Sequence, residues 1–152
     1  MNRPALAGFA DKINEIIPVI AKEFTRCQSK EFYKTKITIP QLFILMLLHK
    51  EGEIKMSGLA HFMNVTTAAM TGMVDRLERE GYIVRVLEPH DRRIIKVKAT
   101  AKGSQLVKKV NEERRQTIIK IFGKLSESDR AEYLRILTQI KEALIKEEAV
   151  IK

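Results

Sequence analysis

Residues Met56–Gly103 read MSGLAHFMNVTTAAMTGMVDRLEREGYIVRVLEPHDRRIIKVKATAKG. Their spacing predicts a short helix, a tight turn, a longer helix closed by glycine, and a hairpin. The short helix runs roughly from Ser57, its cap, to Met63, and Asn64-Val65 makes the turn. Thr66 is a good N-cap for a helix reaching Glu80. Along that helix Val65, Met70, Val74 and Leu77 share one face, with Met73 beside them; Thr67, Ala68, Thr71, Gly72, Asp75 and Arg79 share the other. Gly81 followed by apolar Tyr82 fits a helix that ends on a left-handed residue. Strands Ile83–Leu87 and Ile94–Ala99 flank a charged tip from Glu88 to Arg93. The second strand turns Ile95, Val97 and Ala99 inward against Lys96 and Lys98.

Outward from this stretch the chain reads as helix. Phe9, Ile13, Ile16, Ile17, Ile20, Phe24 and Cys27 fall at three- and four-residue intervals, giving a long amphipathic helix from about Leu6 to Tyr33. Pro18 is expected to bend it or to break a backbone bond locally. Thr38-Ile39-Pro40 opens a second helix, whose body QLFILMLLHK is apolar nearly all round and whose end is Gly52. After the hairpin, Thr100 caps a helix from Ala101 to about Phe122. Ser126 and Asp129 form a capping-box-like start to a last helix, Glu127 to about Val150. Tyr133, Leu134, Leu137, Ile140, Leu144 and Ile145 make its apolar stripe.

At 152 residues the chain is one domain's worth, enough to bury roughly 70% of its extended surface. Its longest apolar run, Leu42 to Leu48, falls far short of the roughly 20 residues a membrane span needs. Asp11 and Lys12 interrupt any signal-peptide core, and a lone cysteine makes no intramolecular disulfide, so a reducing cytoplasm is expected. The net charge of +9 suggests a polyanionic partner without locating it. Its placement is more informative: 51–84 sum to −2 and 85–103 to +4, so the positive charge of the central stretch is expected on the hairpin. A helix of this kind is sized for a DNA major groove, and a basic hairpin beside it is placed to reach the backbone or minor groove.

Several motifs together make the chain resemble the MarR family of winged-helix transcription regulators. They are the helix entry Thr38-Ile39-Pro40-Gln41, Leu59-Ala60, Val65-Thr66, Val74-Asp75-Arg76-Leu77-Glu78, Gly81-Tyr82-Ile83 and Arg85. The tip Glu88-Pro89-His90-Asp91-Arg92-Arg93 and the run Ala99-Thr100-Ala101-Lys102-Gly103 complete the set. The resemblance spans nearly the whole chain. It implies a mainly α fold with a small β-hairpin wing: a winged helix-turn-helix lobe over 38–103, with residues 1–37 and 104–152 as dimerisation helices of a single domain. It further implies a homodimer that binds a palindromic site on double-stranded DNA. Flanking helices with broad apolar faces around a small lobe support the dimer independently.

On this reading Thr66, Thr67, Ala68, Thr71 and Gly72 face the bases. Family members often carry an arginine or other long polar residue near the Thr67 or Gly72 positions, and this chain has neither. Threonine hydroxyls, and contacts from Ala68 and the threonine methyls to thymine, are therefore expected in place of bidentate guanine reading. The family pattern sends the second arginine of an Asp-x-Arg unit, here Arg93, into the minor groove, positioned by Asp91, with Arg92 beside it. His90 and Lys96 are candidate phosphate neighbours. Arg76 and Arg79 either reach phosphate or pair with Asp75, Glu78 or Glu80.

The resemblance also implies release from DNA by a small aromatic or phenolic effector; Phe32, Tyr33 and Phe43 are candidate pocket residues on side-chain type alone. Some family members sense peroxides through a cysteine, but theirs lies much nearer the start of the first helix. Cys27 falls on the apolar face with Phe24 and Ile20, where an inert thiol is expected. His49, His61 and His90 are far apart, and no metal site or cofactor is expected. The methionines Met46, Met63, Met70 and Met73 stand at core spacing. No phosphate loop, nucleophile elbow or catalytic constellation is present, which argues against an enzyme. The function expected is that of a ligand-responsive repressor. The alternatives are a constitutive or architectural DNA-binding protein without effector, and a protein–protein adaptor.

Overall fold

A computed structural model describes the backbone of residues 3–26, 30–88 and 91–151, and the side chains of 5–24, 30–88 and 94–146. The elements are α1 (Arg3–Arg26), α2 (Lys30–Tyr33), α3 (Ile39–Glu51), β1 (Ile54–Lys55), α4 (Met56–Phe62) and α5 (Thr67–Arg79). They are followed by β2 (Ile83–Glu88), β3 (Asp91–Ala99), α6 (Ala101–Phe122) and α7 (Glu127–Ile151). The chain falls into two compact units, 1–114 and 115–152.

The first unit is built around α3. Thr38 and Gln41 form a full capping box: the Thr38 hydroxyl accepts from the Gln41 amide, and the Gln41 side chain accepts from the Thr38 amide at 2.8 Å. Ile44, Leu45 and Leu48 of α3 are buried with Leu59 of α4, Met70, Val74 and Leu77 of α5, Val97 of β3 and Val107 of α6. Each such side chain contributes about 1.5–3 kcal/mol of burial, which makes this cluster the main determinant of the lobe.

Two matching turns set the angle of α5. Asn64 has a φ of 51°, and Val65 N–H bonds to Ala60 C=O while Asn64 N–H bonds to His61 C=O. At the other end Gly81 has a φ of 76°, with Tyr82 N–H on Leu77 C=O and Gly81 N–H on Glu78 C=O. Both are Schellman endings: one ends α4 on an asparagine, the other ends α5 on a glycine. The sheet has the order β1-β3-β2, all antiparallel.

Helix occupies both described parts of the stretch expected from Leu6 to Tyr33, as α1 and α2, and Cys27 lies outside the described residues. α1 continues through Pro18, which has no N–H to give the carbonyl four residues before it, so one backbone bond is lost there as expected. Other expectations are corrected. Ser57 is not a cap: Ile54 and Lys55 pair with Val97 and Lys96 of β3, and this short strand was not expected. It holds Lys55 extended as the N-cap, so the helix starts at Met56. Ile95 shares the face of buried Val97 but is not itself buried. It is 37% exposed and its partner in register, Leu87, is 56% exposed, so this end of the hairpin lies beyond the buried cluster. The strands also run further toward the tip than expected, to Glu88 and from Asp91.

In the second unit Ser126 caps α7, its hydroxyl accepting from the Asp129 amide at 3.1 Å and donating to the Asp129 carboxylate at 2.6 Å. The Phe122 and Tyr133 rings lie 5.2 Å apart, and Arg130 donates to Leu125 C=O at 2.7 Å. Leu134, Leu137, Ile140, Leu144 and Ile145 of α7 are exposed.

Candidate nucleic-acid interface

The exposed face of α5 follows from its buried one. With Met70, Met73, Val74 and Leu77 turned to the core, Thr67, Ala68, Thr71, Gly72, Asp75, Arg76 and Arg79 are exposed, and so is the cap Thr66. The hydroxyls are not equivalent. Thr66 Oγ1 accepts from Ala69 N–H at 3.2 Å, and the Thr71 hydroxyl donates to Thr67 C=O at 2.9 Å. Thr71 is left with acceptor capacity and a methyl, Thr66 with a proton to donate. The Thr67 hydroxyl has no hydrogen-bond partner among the described residues.

The charges are distributed differently from the expectation. Arg85 of β2 reaches back to α5, donating from Nη2 to Asp75 Oδ1 at 2.5 Å and from Nη1 to the Glu78 carboxylate. Its backbone N–H also bonds to Glu78 Oε1 at 3.2 Å. The hydrogen bond to Asp75, above all, raises the pKa of this guanidinium above its ordinary value; partial burial opposes the shift and the charge of Glu78 adds to it. Lys96 is paired with Glu88, whose hydrogen bond and charge raise the ammonium pKa. Lys98 pairs with Glu53 at 3.5 Å. Lys102 donates to Glu80 C=O at 2.5 Å and lies 4.4 Å from the centre of the Tyr82 ring. Four of the six cations of 85–103 are thus engaged within the fold, and the side chains of the other two, Arg92 and Arg93, are not among those described.

Arg76 and Arg79, expected either to reach phosphate or to pair with Asp75, Glu78 or Glu80, form no ion pair among the described residues. Among the described side chains of α5 and the hairpin, the uncommitted positive charge therefore lies on α5, at Arg76 and Arg79. Segment charge alone hid this, because the neutralising contact crosses from one segment to the other.

At the tip, Leu87 pairs with Ile95 but Glu88 pairs with Asp91. Regular pairing would put Glu88 opposite Ile94, so Arg92, Arg93 and Ile94 have no counterpart on β2. A bulge of this kind frees the strand to aim its side chains away from the ladder. His90 and the side chains of Asp91, Arg92 and Arg93 lie outside the described residues. Of the candidate pocket residues, Phe32 is in the core, its ring 5.8 Å from that of Tyr33, while Tyr33 and Phe43 are 61% and 52% exposed.

Three side chains and a glycine that position this surface were not singled out for it from the sequence, although Thr100 was expected to cap α6, as it does. Gln41 is 2% exposed and donates to Met73 C=O at 3.3 Å, tying α3 to the middle of α5. Thr100 donates to Gly81 C=O at 2.8 Å and accepts from Gly103 N–H at 3.2 Å, so the start of α6 is fastened to the end of α5. Gly103 lets the two approach: a Cβ there would stand 2.2 Å from Tyr82 O. Arg85 is the third side chain; the acids at 75 and 78 were its one local signal, and their partner lies beyond a turn.

The sequence model of the MarR family matches residues 37–95. The HTH-type transcriptional repressor MdtR of Bacillus subtilis is 32% identical over 110 residues, 72% of this chain and 71% of that protein. Among solved structures, RV1404 from Mycobacterium tuberculosis superposes with a TM-score of 0.78 at 30% identity, covering 88% of this chain and 92% of that one. A MarR family protein from Bacillus stearothermophilus shares the fold, with a TM-score of 0.80 at 24% identity over 95% of this chain and 99% of that one. The chain belongs to the MarR family of winged helix-turn-helix transcriptional regulators, which are DNA-binding proteins.

Proposed function

We propose that the protein is a sequence-specific repressor that binds a palindromic operator as a homodimer in the cytoplasm, and that a small aromatic or phenolic ligand releases it. The observation that carries this reading is the exposed face of α5. It has small residues in its first two turns and, after them, Arg76 and Arg79, unpaired among the described residues. Small side chains let a helix sit deep in a major groove, and the two arginines then stand near the phosphates that border it. Thr67 supplies an uncommitted hydroxyl, and Ala68 with the threonine methyls suits thymine. Arg93, on the unpaired part of β3 with Asp91 before it, is assigned to the minor groove, Arg92 and His90 to the backbone beside it. Lys96 holds Glu88 and reaches phosphate only by exchanging that partner.

Residues 38–103 form the DNA-binding lobe, and the helices on either side form the dimer. In support, α1 exposes Leu6, Phe9, Ile13, Ile16, Ile17 and Ile20, with Phe9 at 59%, and α7 exposes an apolar stripe of its own. Surfaces of that kind on a protein of this size call for a partner. Among the described residues, no helix is long and apolar enough to cross a membrane.

Titration of a palindromic duplex with Arg93→Ala tests the wing. Affinity should fall roughly tenfold, and the slope of log K against log salt should drop by about 0.9 for each phosphate no longer neutralised. Unchanged affinity and slope would remove the wing from the interface. A panel of phenolic compounds added to the wild-type complex tests ligand control; no shift in affinity across the panel would leave a constitutive DNA-binding protein.

A further inference from the structure

We infer that Arg85 is a charge mask for α5: by holding Asp75 and Glu78 it keeps Arg79 uncommitted for DNA. The inference rests on the reading that α5 lies against DNA, and it concerns a residue that touches none.

In isolation α5 would neutralise itself. Asp75 and Arg79 stand four apart with the acid N-terminal, the favourable order for an ion pair along a helix. Glu78 adds a second acid within one turn of both arginines. In the folded lobe this pair does not form. Asp75 Oδ1 is bound by Arg85 Nη2 at 2.5 Å, and Arg79 has no ion pair among the described residues. Arg85 holds this position well. Its guanidinium bonds two carboxylates at once, its backbone N–H engages Glu78 at 3.2 Å, and its side chain is only 25% exposed. A forked, partly buried donor of this kind loses less entropy per bond than a solvated arginine at the helix surface.

The position of Asp75 makes the mask matter. At about 100° per residue, Asp75 lies within roughly 40° of Arg79 and 20° of Ala68 around the helix, on the same outward arc. An unmasked carboxylate there would stand well within one Debye length of the phosphates and would compete with them for Arg79. Arg85 thus turns the two acids of the helix into anchors for the wing and leaves its two arginines to the nucleic acid.

The test compares four full-length proteins on one duplex across a salt series: wild type, Arg85→Gln, Arg85→Gln with Asp75→Asn, and Arg85→Lys, with thermal melting of each. The double variant has the net charge of the wild type. Arg85→Gln should bind about tenfold more weakly at about 50 mM salt, with a slope shallower by about 0.9, because Arg79 turns to Asp75. The double variant should return to within about threefold of wild type with the wild-type slope, although both melt below it. That recovery separates a mask from a merely structural role, which predicts equal weakness in both. Binding by Arg85→Gln at wild-type strength, or no recovery in the double variant, overturns the proposal. If Arg85→Gln does not fold, Arg85→Lys decides. Its ammonium still holds one acid, so binding within about threefold of wild type supports the mask, and a tenfold loss in the folded protein overturns it. Wild-type binding that Arg79→Ala leaves unchanged would instead refute the placement of α5 on DNA.

Discussion

Replacing Gly103 by alanine sets two effects of opposite sign against each other. Gly103 lies in the first turn of α6, a helical site where alanine is favoured over glycine by about 1 kcal/mol. The added Cβ would meet Tyr82 O at 2.2 Å, its carbonyl carbon at 3.2 Å and Leu45 Cδ2 at 3.3 Å. Ordinary contact begins near 3.4 Å, so the backbone at Tyr82 must retreat by about 1 Å. Overpacking of this kind costs about 1–3 kcal/mol, and here backbone must move. The retreat also loosens two hydrogen bonds, Thr100 N–H to Tyr82 C=O at 3.0 Å and Tyr82 N–H to Leu77 C=O at 2.9 Å, each contributing about 1 kcal/mol. The net expectation is a loss of about 2–3 kcal/mol, a fall in Tm of roughly 5–10 °C. Reversible thermal melting followed by circular dichroism measures it. A Tm equal to or above that of the wild type would mean that propensity wins and that the close approach of α5 and α6 is not a constraint.

Gln41→Met keeps the volume of the side chain but removes its bonds to the Thr38 amide and to Met73 C=O. A loss of about 1–2 kcal/mol in denaturant unfolding is expected, and an unchanged midpoint would make that link dispensable. The hydrogen bond and charge of Lys34, with Lys109 adding at 3.4 Å, hold the Glu31 carboxyl below its ordinary value of 4.5. Its contribution to stability is therefore complete above that value and lost as pH falls through the lowered one. Tm plotted against pH should be flatter in acid for Glu31→Gln than for wild type, and parallel curves would show that the contact adds nothing.

The parts of the fold legible in the sequence are those fixed within a few residues. The capping boxes and hydroxyl caps at Thr38, Thr66, Thr100 and Ser126, and the glycines at 52 and 81, mark helix ends because each acts on amides or carbonyls no more than five positions away. The core face of α5 followed from period alone. The failures share the opposite property. β1 is two residues long and exists only because Val97 and Lys96 lie opposite it, so it has no local signature, and it displaced the cap expected at Ser57. Ile95 alternates correctly for an inward residue, but how far a hairpin overhangs its core is not a property of alternation. The face of the candidate site was legible in the same way as the helix that carries it. Its charge state was not, since Arg85 reaches ten positions back to Asp75 and changes which cations remain for DNA.

Selection from a random duplex pool by the purified protein reads operator symmetry and base recognition together. Base reading by α5 in a two-fold dimer predicts enrichment of a two-fold symmetric sequence whose half-site centres lie about 10–10.5 bp, or a multiple of it, apart. It also predicts that Arg76→Ala and Arg79→Ala weaken binding to every recovered sequence by similar factors, while Thr67→Ala changes which sequences are recovered. A pool that yields no common sequence, or an asymmetric one indifferent to Thr67, would contradict it.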